Sequence, residues 1–319
     1  MCIRDMCEAD AHGARVPCHV VDHAIEAAAL TRMYGRAVGV DAIDLEVARG
    51  ECFGFLGPNG AGKTTFIRLA LGLIRPTSGR VAVMGHDVGR DRMSALAEVG
   101  YLPGELGLYP SLPGGRVLEA LGRLHPRPPV LRDELLATLE LPEDDLRKRI
   151  REYSRGMKQK LGLVAALQHD PPLILLDEPT GGLDPVIQGR LLDWLAARAR
   201  AGRTVFFSSH VLSEVEELCD RVAMVRGGRL LVAGPVSELR RARSRRVDVR
   251  FSEPVDPSRY AVAGVAGVEV DGLRHRFVLS GEPAPLIAAL ASLPVADLAI
   301  ERPSLEEAFR DLYDGPTAP

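Results

Sequence analysis

The sequence lacks a membrane span, an export signal and a charge imbalance, and each absence removes a class of function. A spanning helix needs about 18 or more successive apolar residues, and apolar runs here are cut short, as Leu173–Leu176 is by Asp177. The chain is therefore not expected to cross a membrane. Residues 1–23 carry charges throughout and have no apolar core of a secretory signal, which points to the cytosol. Forty basic and 43 acidic residues are well mixed and leave a net charge of -3, so nothing favours electrostatic binding to nucleic acid. Arg240, Arg241, Arg243, Arg245 and Arg246 form one basic cluster, read as a solvated linker or as a contact for anionic lipid headgroups. There is no internal repeat and no low-complexity tract.

Cysteine is sparse: five in 319 residues. Cys2, Cys7 and Cys18 lie near His12, His19 and His23, but their spacings match no common zinc pattern. This leader has no helical or strand period, so it reads as a disordered or extraneous extension. Cys52 and Cys219, far apart in sequence and in apolar surroundings, read as small core residues rather than a disulfide or a nucleophile. A hydrophobic fraction of 46% suffices for a large core and suggests one large domain or two unequal ones.

What is present begins with GPNGAGKTT, which fits G-x-x-x-x-G-K-[ST] and follows the apolar run Cys52–Leu56. Such a loop turns backbone N–H groups onto a polyphosphate and feeds a helix, expected over Thr64–Ile74, whose N-terminus favours negative charge. A Cβ at Gly57, Gly60 or Gly62 would block positive φ or hold the backbone away from phosphate oxygens. Gly57, Pro58, Asn59, Gly60, Ala61, Gly62, Lys63, Thr64 and Thr65 are thus the candidate nucleotide-binding residues. Lys63 would reach the β- and γ-phosphates, and the Thr64 hydroxyl would ligate Mg²⁺.

Short strands are expected over Ala24–Tyr34, Ala42–Glu51 and Arg80–Met84. From Glu105 to Ile150 the helical period of Val117–Leu124 and Leu131–Leu139, with prolines at the joints, predicts an inserted helical lobe. Helices over Gly156–His169, Pro185–Ala201 and from Leu212 alternate with strands over Leu173–Asp177 and Thr204–Ser208. That alternation predicts an α/β fold with a mainly parallel sheet covered on both faces and a ligand site at the carboxyl ends of its strands. Strands Arg221–Arg226 and Arg229–Val232 close the region. From Val247 a small α+β module is expected, with strands in VDVRF, VEV, RFVLS and VADLAIE and helices over Pro285–Leu293 and Ser304–Tyr313. The division is leader 1–23, nucleotide-binding domain 24–240, and linker with accessory domain 241–319.

The segment LILLDEPTGGLDP puts Asp177 and Glu178 at the end of a buried strand. Asp177 would hold Mg²⁺ through water, and Glu178 would act as general base on the attacking water. Together with GPNGAGKTT, YSRGMKQKL at Tyr153–Leu161, GGLDP at Gly181–Pro185 and SSH at Ser208–His210, this order resembles the ATP-binding subunits of ABC transporters over about Ala24–Gly234.

The resemblance implies a P-loop fold with an antiparallel β subdomain beside the parallel core. It also implies that Tyr34 stacks on adenine and that Ser154 and Gly156 bind the γ-phosphate of ATP held by an opposite subunit. Asp184 would link the two sites, and His210 would contact the γ-phosphate. The partners implied are a second copy, or a similar subunit, and a separate membrane permease. The chain would then sit on the inner face of the cell membrane through that permease.

Two departures stand out. VGYLPGE has Gly104 where the family usually has Gln, with Glu105 next to it as a candidate metal-site oxygen, and the signature reads Ser-Arg-Gly-Met. Both resemble the branch of drug, antibiotic and sodium exporters, as does PSLEEAF near the C-terminus. ATP hydrolysis driving export is the expectation. The alternatives are a soluble ABC-type ATPase acting on ribosome or nucleic acid, or a nucleotide-binding regulatory subunit with little turnover. No motif encodes the cargo.

Overall fold

The computed structural model describes residues 23–241 and 245–301. Cys2, Cys7, Cys18, His12, His19, Arg243, the expected helix Ser304–Tyr313 and PSLEEAF lie outside the described residues.

The chain opens with an antiparallel pair, β1 (His23–Tyr34) and β2 (Ala37–Ala48), closed so tightly that Tyr34 faces Ala37. Gly35, at φ +61°, supplies the left-handed backbone the turn demands. β2 starts earlier than its apolar alternation suggested, because Val38 and Val40 already pair with Met33 and Arg32. The fully buried β3 (Cys52–Leu56) runs into the glycine-rich loop and α1 (Lys63–Ala70). The apolar period continues to Ile74, but Gly72 takes φ +62° and donates its N–H to Leu69, ending the helix in a left-handed stop. β4 (Ser78–Val83) and β5 (His86–Asp87) complete a four-stranded sheet of order β2-β1-β4-β5.

After α2 (Arg92–Ala97) and β6 (Val99–Leu102) come the lobe helices α3 (Gly114–Leu124), α4 (Arg132–Thr138) and α5 (Glu143–Arg147). The lobe is pinned to the rest: Glu134 of α4 accepts hydrogen bonds from Trp194 Nε1 at 2.6 Å and from Arg198 at 2.7 Å. α6 (Arg155–Leu167), β7 (Leu173–Asp177), α7 (Pro185–Arg200), β8 (Thr204–Ser209), α8 (Leu212–Leu218), β9 (Arg221–Arg226), β10 (Arg229–Pro235) and α9 (Val236–Arg241) follow. They build a six-stranded sheet of order β10-β9-β3-β8-β7-β6, parallel except for β10.

The period of two along each strand divides this sheet's side chains between two cores. Leu56, Ile174, Leu176, Val205, Phe207, Val222 and Met224 face the lobe side, with α6 and α7. Phe53, Phe55, Leu173, Leu175, Phe206, Ala223 and Val225 face α1 and the antiparallel sheet. There the Phe55 and Phe66 rings meet at a tilt, 4.9 Å between centres, and Phe66 stacks on Phe206 at 5.8 Å, each buried ring contributing about 1.5–3 kcal/mol. Fixing α1 on β3 in this way fixes the loop between them. Cys52 and Cys219 are both buried, as expected of core residues, yet their sulfurs are 3.6 Å apart as neighbouring free thiols. Burial pushes up the Cys219 thiol, with the Cys52 hydrogen bond adding to it.

The last part is an antiparallel sheet of β11 (Arg245–Phe251), β12 (Val265–Asp271), β13 (Arg274–Leu279) and β14 (Val295–Glu301), in the order β12-β13-β11-β14. One face packs Val247, Val249, Phe251 and Phe277 against Tyr260 and α10 (Ala284–Leu290). The other face carries charge, with Asp248 held by Arg274 at 2.7 Å.

Candidate functional site

The loop between β3 and α1 is shaped by close backbone approaches. A Cβ on Gly57 would come within 2.4 Å of the Val225 carbonyl, and one on Gly62, at φ +110°, within 2.4 Å of the Gly39 carbonyl. Gly62 also stands at the N-cap of α1, where no side chain caps the helix and no acid occupies its first turn. The first N–H groups of α1 are therefore left to a ligand, and the helix dipole favours an anion there. Lys63 is only 5% exposed. Its Nζ donates to Gly57 O at 2.6 Å and Pro58 O at 3.3 Å, and lies 3.3 Å from Glu178 Oε1. The cleft above this loop, about 290 Å³, is lined by Tyr34, Val38, Gly39, Pro58, Asn59, Gly60, Ala61, Gly62, Lys63, Thr64, Thr65 and Glu178. Tyr34 is half exposed, with the Arg32 guanidinium 4.8 Å from its ring centre.

The two acids at the end of β7 are held very differently. Asp177 is 2% exposed and accepts hydrogen bonds from Thr64 Oγ1 at 2.8 Å and Ser208 Oγ at 2.6 Å. Burial, reinforced by the Asp177 charge, pushes the neighbouring Tyr101 phenol up to about 12, so it stays protonated. Glu178 adopts φ +51°, a left-handed conformation that costs a non-glycine residue about 1–3 kcal/mol. Its N–H donates to Ser208 O and Oγ, both at 3.2 Å, and the Glu178 carboxylate lies 3.4 Å from His210 Nδ1. A carboxylate fixed beside a lysine and a histidine at the mouth of an anion cradle can orient water and take its proton.

Ser154, Gly156 and Asp184 do not line the cleft; they gather on a second patch. Ser154 caps α6 by accepting the Met157 N–H at 3.1 Å, and Asp184 caps α7 by accepting the Ile187 N–H at 3.0 Å. That N–H holds the Asp184 carboxyl below the usual carboxylate range. The two loops touch: a Cβ on Gly156 would lie 2.8 Å from the Gly182 carbonyl, and the Arg155 stem covers Gly182. Glu105 is exposed and makes no hydrogen bond or ion pair among the described residues. The position that adjoins the buried acid is Gly104, where a Cβ would stand 3.3 Å from Asp177 Oδ2.

Two contributors escaped the sequence reading as individuals. Ser208 was visible only as part of SSH, yet it bonds both Asp177 and the Glu178 backbone. Gln159 was hidden inside YSRGMKQKL. It is buried, and its amide donates to Pro179 O at 2.8 Å and reaches Glu178 O at 3.4 Å. The signal that could have found it is a glutamine on the otherwise apolar inward face of a helix.

A family model described as ABC transporter matches residues 40–181. The daunorubicin resistance ATP-binding protein DrrA3 of Streptomyces coeruleorubidus is 36% identical over 308 residues, covering 92% of this chain and 96% of that protein. The bacitracin transport ATP-binding protein BcrA of Bacillus licheniformis is 37% identical over 230 residues, covering 70% of this chain and 74% of its own length. Among solved structures, an ATP-binding subunit of an ABC transporter superposes with a TM-score of 0.63 at 28% identity, covering 68% of this chain and 92% of that one. With a match extending along almost the whole of DrrA3 and the same α/β architecture in a solved subunit, this chain belongs to the ATP-binding subunits of ABC transporters.

Proposed function

We propose that this chain hydrolyses ATP in a dimer and thereby drives a separate permease that exports its cargo, from the inner face of the cell membrane. The observation that carries the proposal is the meeting of Lys63, Thr64 and Glu178 at one cleft, with Asp177 bonded to Thr64 and His210 beside Glu178. Ser154, Gly156 and Asp184 meanwhile lie outside that cleft, where the loops before α6 and α7 touch.

In this reading adenine stacks on Tyr34, and the triphosphate lies along Gly57–Thr65. Lys63 leaves its carbonyl partners and Glu178 for the phosphate oxygens. The buried Asp177 and the Thr64 hydroxyl form a hard oxygen set that fits Mg²⁺, which when bound neutralises charge on the β- and γ-phosphate oxygens. Glu178, released from Lys63, orients water and accepts its proton. His210 steadies the carboxylate and faces the γ-phosphate. Ser154 and Gly156 grip the ATP of the partner protomer, and Asp184 links the two sites.

The names of DrrA3 and BcrA, which speak of resistance and transport, support export and a permease partner. The division into 1–23, 24–240 and 241–319 belongs to the same proposal. Light scattering of the Glu178→Gln chain tests it: ATP with Mg²⁺ should convert protomers to dimers, and a monomer at saturating ATP would refute the shared site. Capture of the tagged chain from detergent extract should bring down a polytopic membrane protein.

A further inference from the structure

The helix that begins at Ser154 and the residue that carries the general base are joined by one buried amide. Gln159 lies on α6, the helix capped by Ser154, and is only 7% exposed. A buried amide is costly unless its hydrogen bonds are made. Here Nε2 donates to the Pro179 carbonyl at 2.8 Å and reaches the Glu178 carbonyl at 3.4 Å. The other side of Glu178 is gripped from β8, where Ser208 accepts its N–H. The left-handed backbone at Glu178, φ +51°, is therefore clamped between a strand of the sheet and the signature helix. Two more contacts stiffen the same joint: Gly156 against the Gly182 carbonyl, and the Arg155 stem over Gly182.

We propose that Gln159 is a positioning residue that transmits occupation of the Ser154 patch to Glu178, so that the partner protomer's nucleotide sets the carboxylate serving this protomer's own. The inference rests on the roles given above to Glu178 and Ser154. A pull on the start of α6 moves Gln159, and the carbonyls of Glu178 and Pro179 move with its amide. A residue that merely satisfied two backbone carbonyls would affect unfolding, not the rate alone, and its effect would be independent of Ser154.

The test uses the full chain with Mg²⁺ and ATP. Gln159→Leu keeps comparable buried bulk and removes the donor; Gln159→Glu keeps length and polarity but replaces donor by acceptor, and serves if the leucine variant melts early. Either should lower kcat about tenfold, the effect of one hydrogen bond felt at the transition state, while half-saturating ATP stays within about twofold. Ser154→Ala combined with Gln159→Leu should turn over at roughly the rate of the slower single variant, because the two act in series. A wild-type kcat in both Gln159 variants, or penalties that multiply with Ser154→Ala, would overturn the proposal. Glu178→Gln run alongside separates the two levels. If it too hydrolyses ATP at the wild-type rate, the reading of the base is wrong; if it is inactive while both Gln159 variants keep the wild-type kcat, only the relay is.

Discussion

The cleft around Lys63 and the patch around Ser154 use the same part, a helix N-terminus, and finish it in opposite ways. α1 begins at a glycine with no side-chain cap, beside a buried lysine and a buried aspartate. α6 begins at a serine that already caps its own helix. One end is incomplete until an anion arrives; the other is complete, exposed and offers a hydroxyl still able to donate. On the proposed function, affinity for nucleotide resides in the first, and the second adds a contact made only when another surface comes to it.

Substitutions that separate the two should sharpen this contrast. Glu178→Gln should have the largest effect, a fall in steady-state phosphate release of about 10²–10⁴-fold, the usual share of general acid–base catalysis, with ATP binding kept. Lys63→Ala removes a charged donor and should weaken ATP binding by about 1.5–3 kcal/mol, measured by titration of a fluorescent nucleotide. Ser154→Ala should leave that titration unchanged while lowering kcat, and should cost about 1 kcal/mol of stability for the lost cap. Weaker binding to the isolated protomer would break the contrast.

The smallest effect at neutral pH lies at the far end of α6. Burial pulls His169 down to about 4 from 6.5, with His125 and Arg127 adding to it and Asp170 and the Val99 backbone opposing. Its rings stack on His125 at 3.4 Å. The folded state holds this imidazole neutral while the unfolded chain protonates it. Its contribution to stability is thus whole above about 6.5 and is lost as pH falls toward about 4. Melting curves over that window should fall with pH, and His169→Phe should flatten the slope without altering ATP hydrolysis at neutral pH.

The cleft was legible because each of its parts has a local cause: glycines where a Cβ collides, a Lys-Thr pair at a helix start, and two acids closing an apolar strand. Tyr34 and His210 were legible only through the family resemblance that those parts carry. Contacts that join distant segments left no such trace. The bond of Ser208 to Asp177 needs β8 beside β7, the adjacency of Cys52 to Cys219 needs β9 beside β3, and the reach of Gln159 to Glu178 needs α6 laid against the end of β7. Periodicity identifies strands and the faces they bury but does not say which strand lies next to which. The end of α1 was misread for a different reason: apolar spacing through Ile74 outweighed a single glycine whose left-handed φ stops the helix.

The bare start of α1 makes nucleotide a component of the folded structure and not only its fuel. Any ligand that binds the native state alone raises the free energy of unfolding by RT ln(1 + [L]/Kd), about 2.7 kcal/mol at a hundredfold excess over Kd. At such ATP concentrations the protein is sturdier than the same chain stripped of nucleotide during purification, and a melting temperature taken without ATP describes the wrong species.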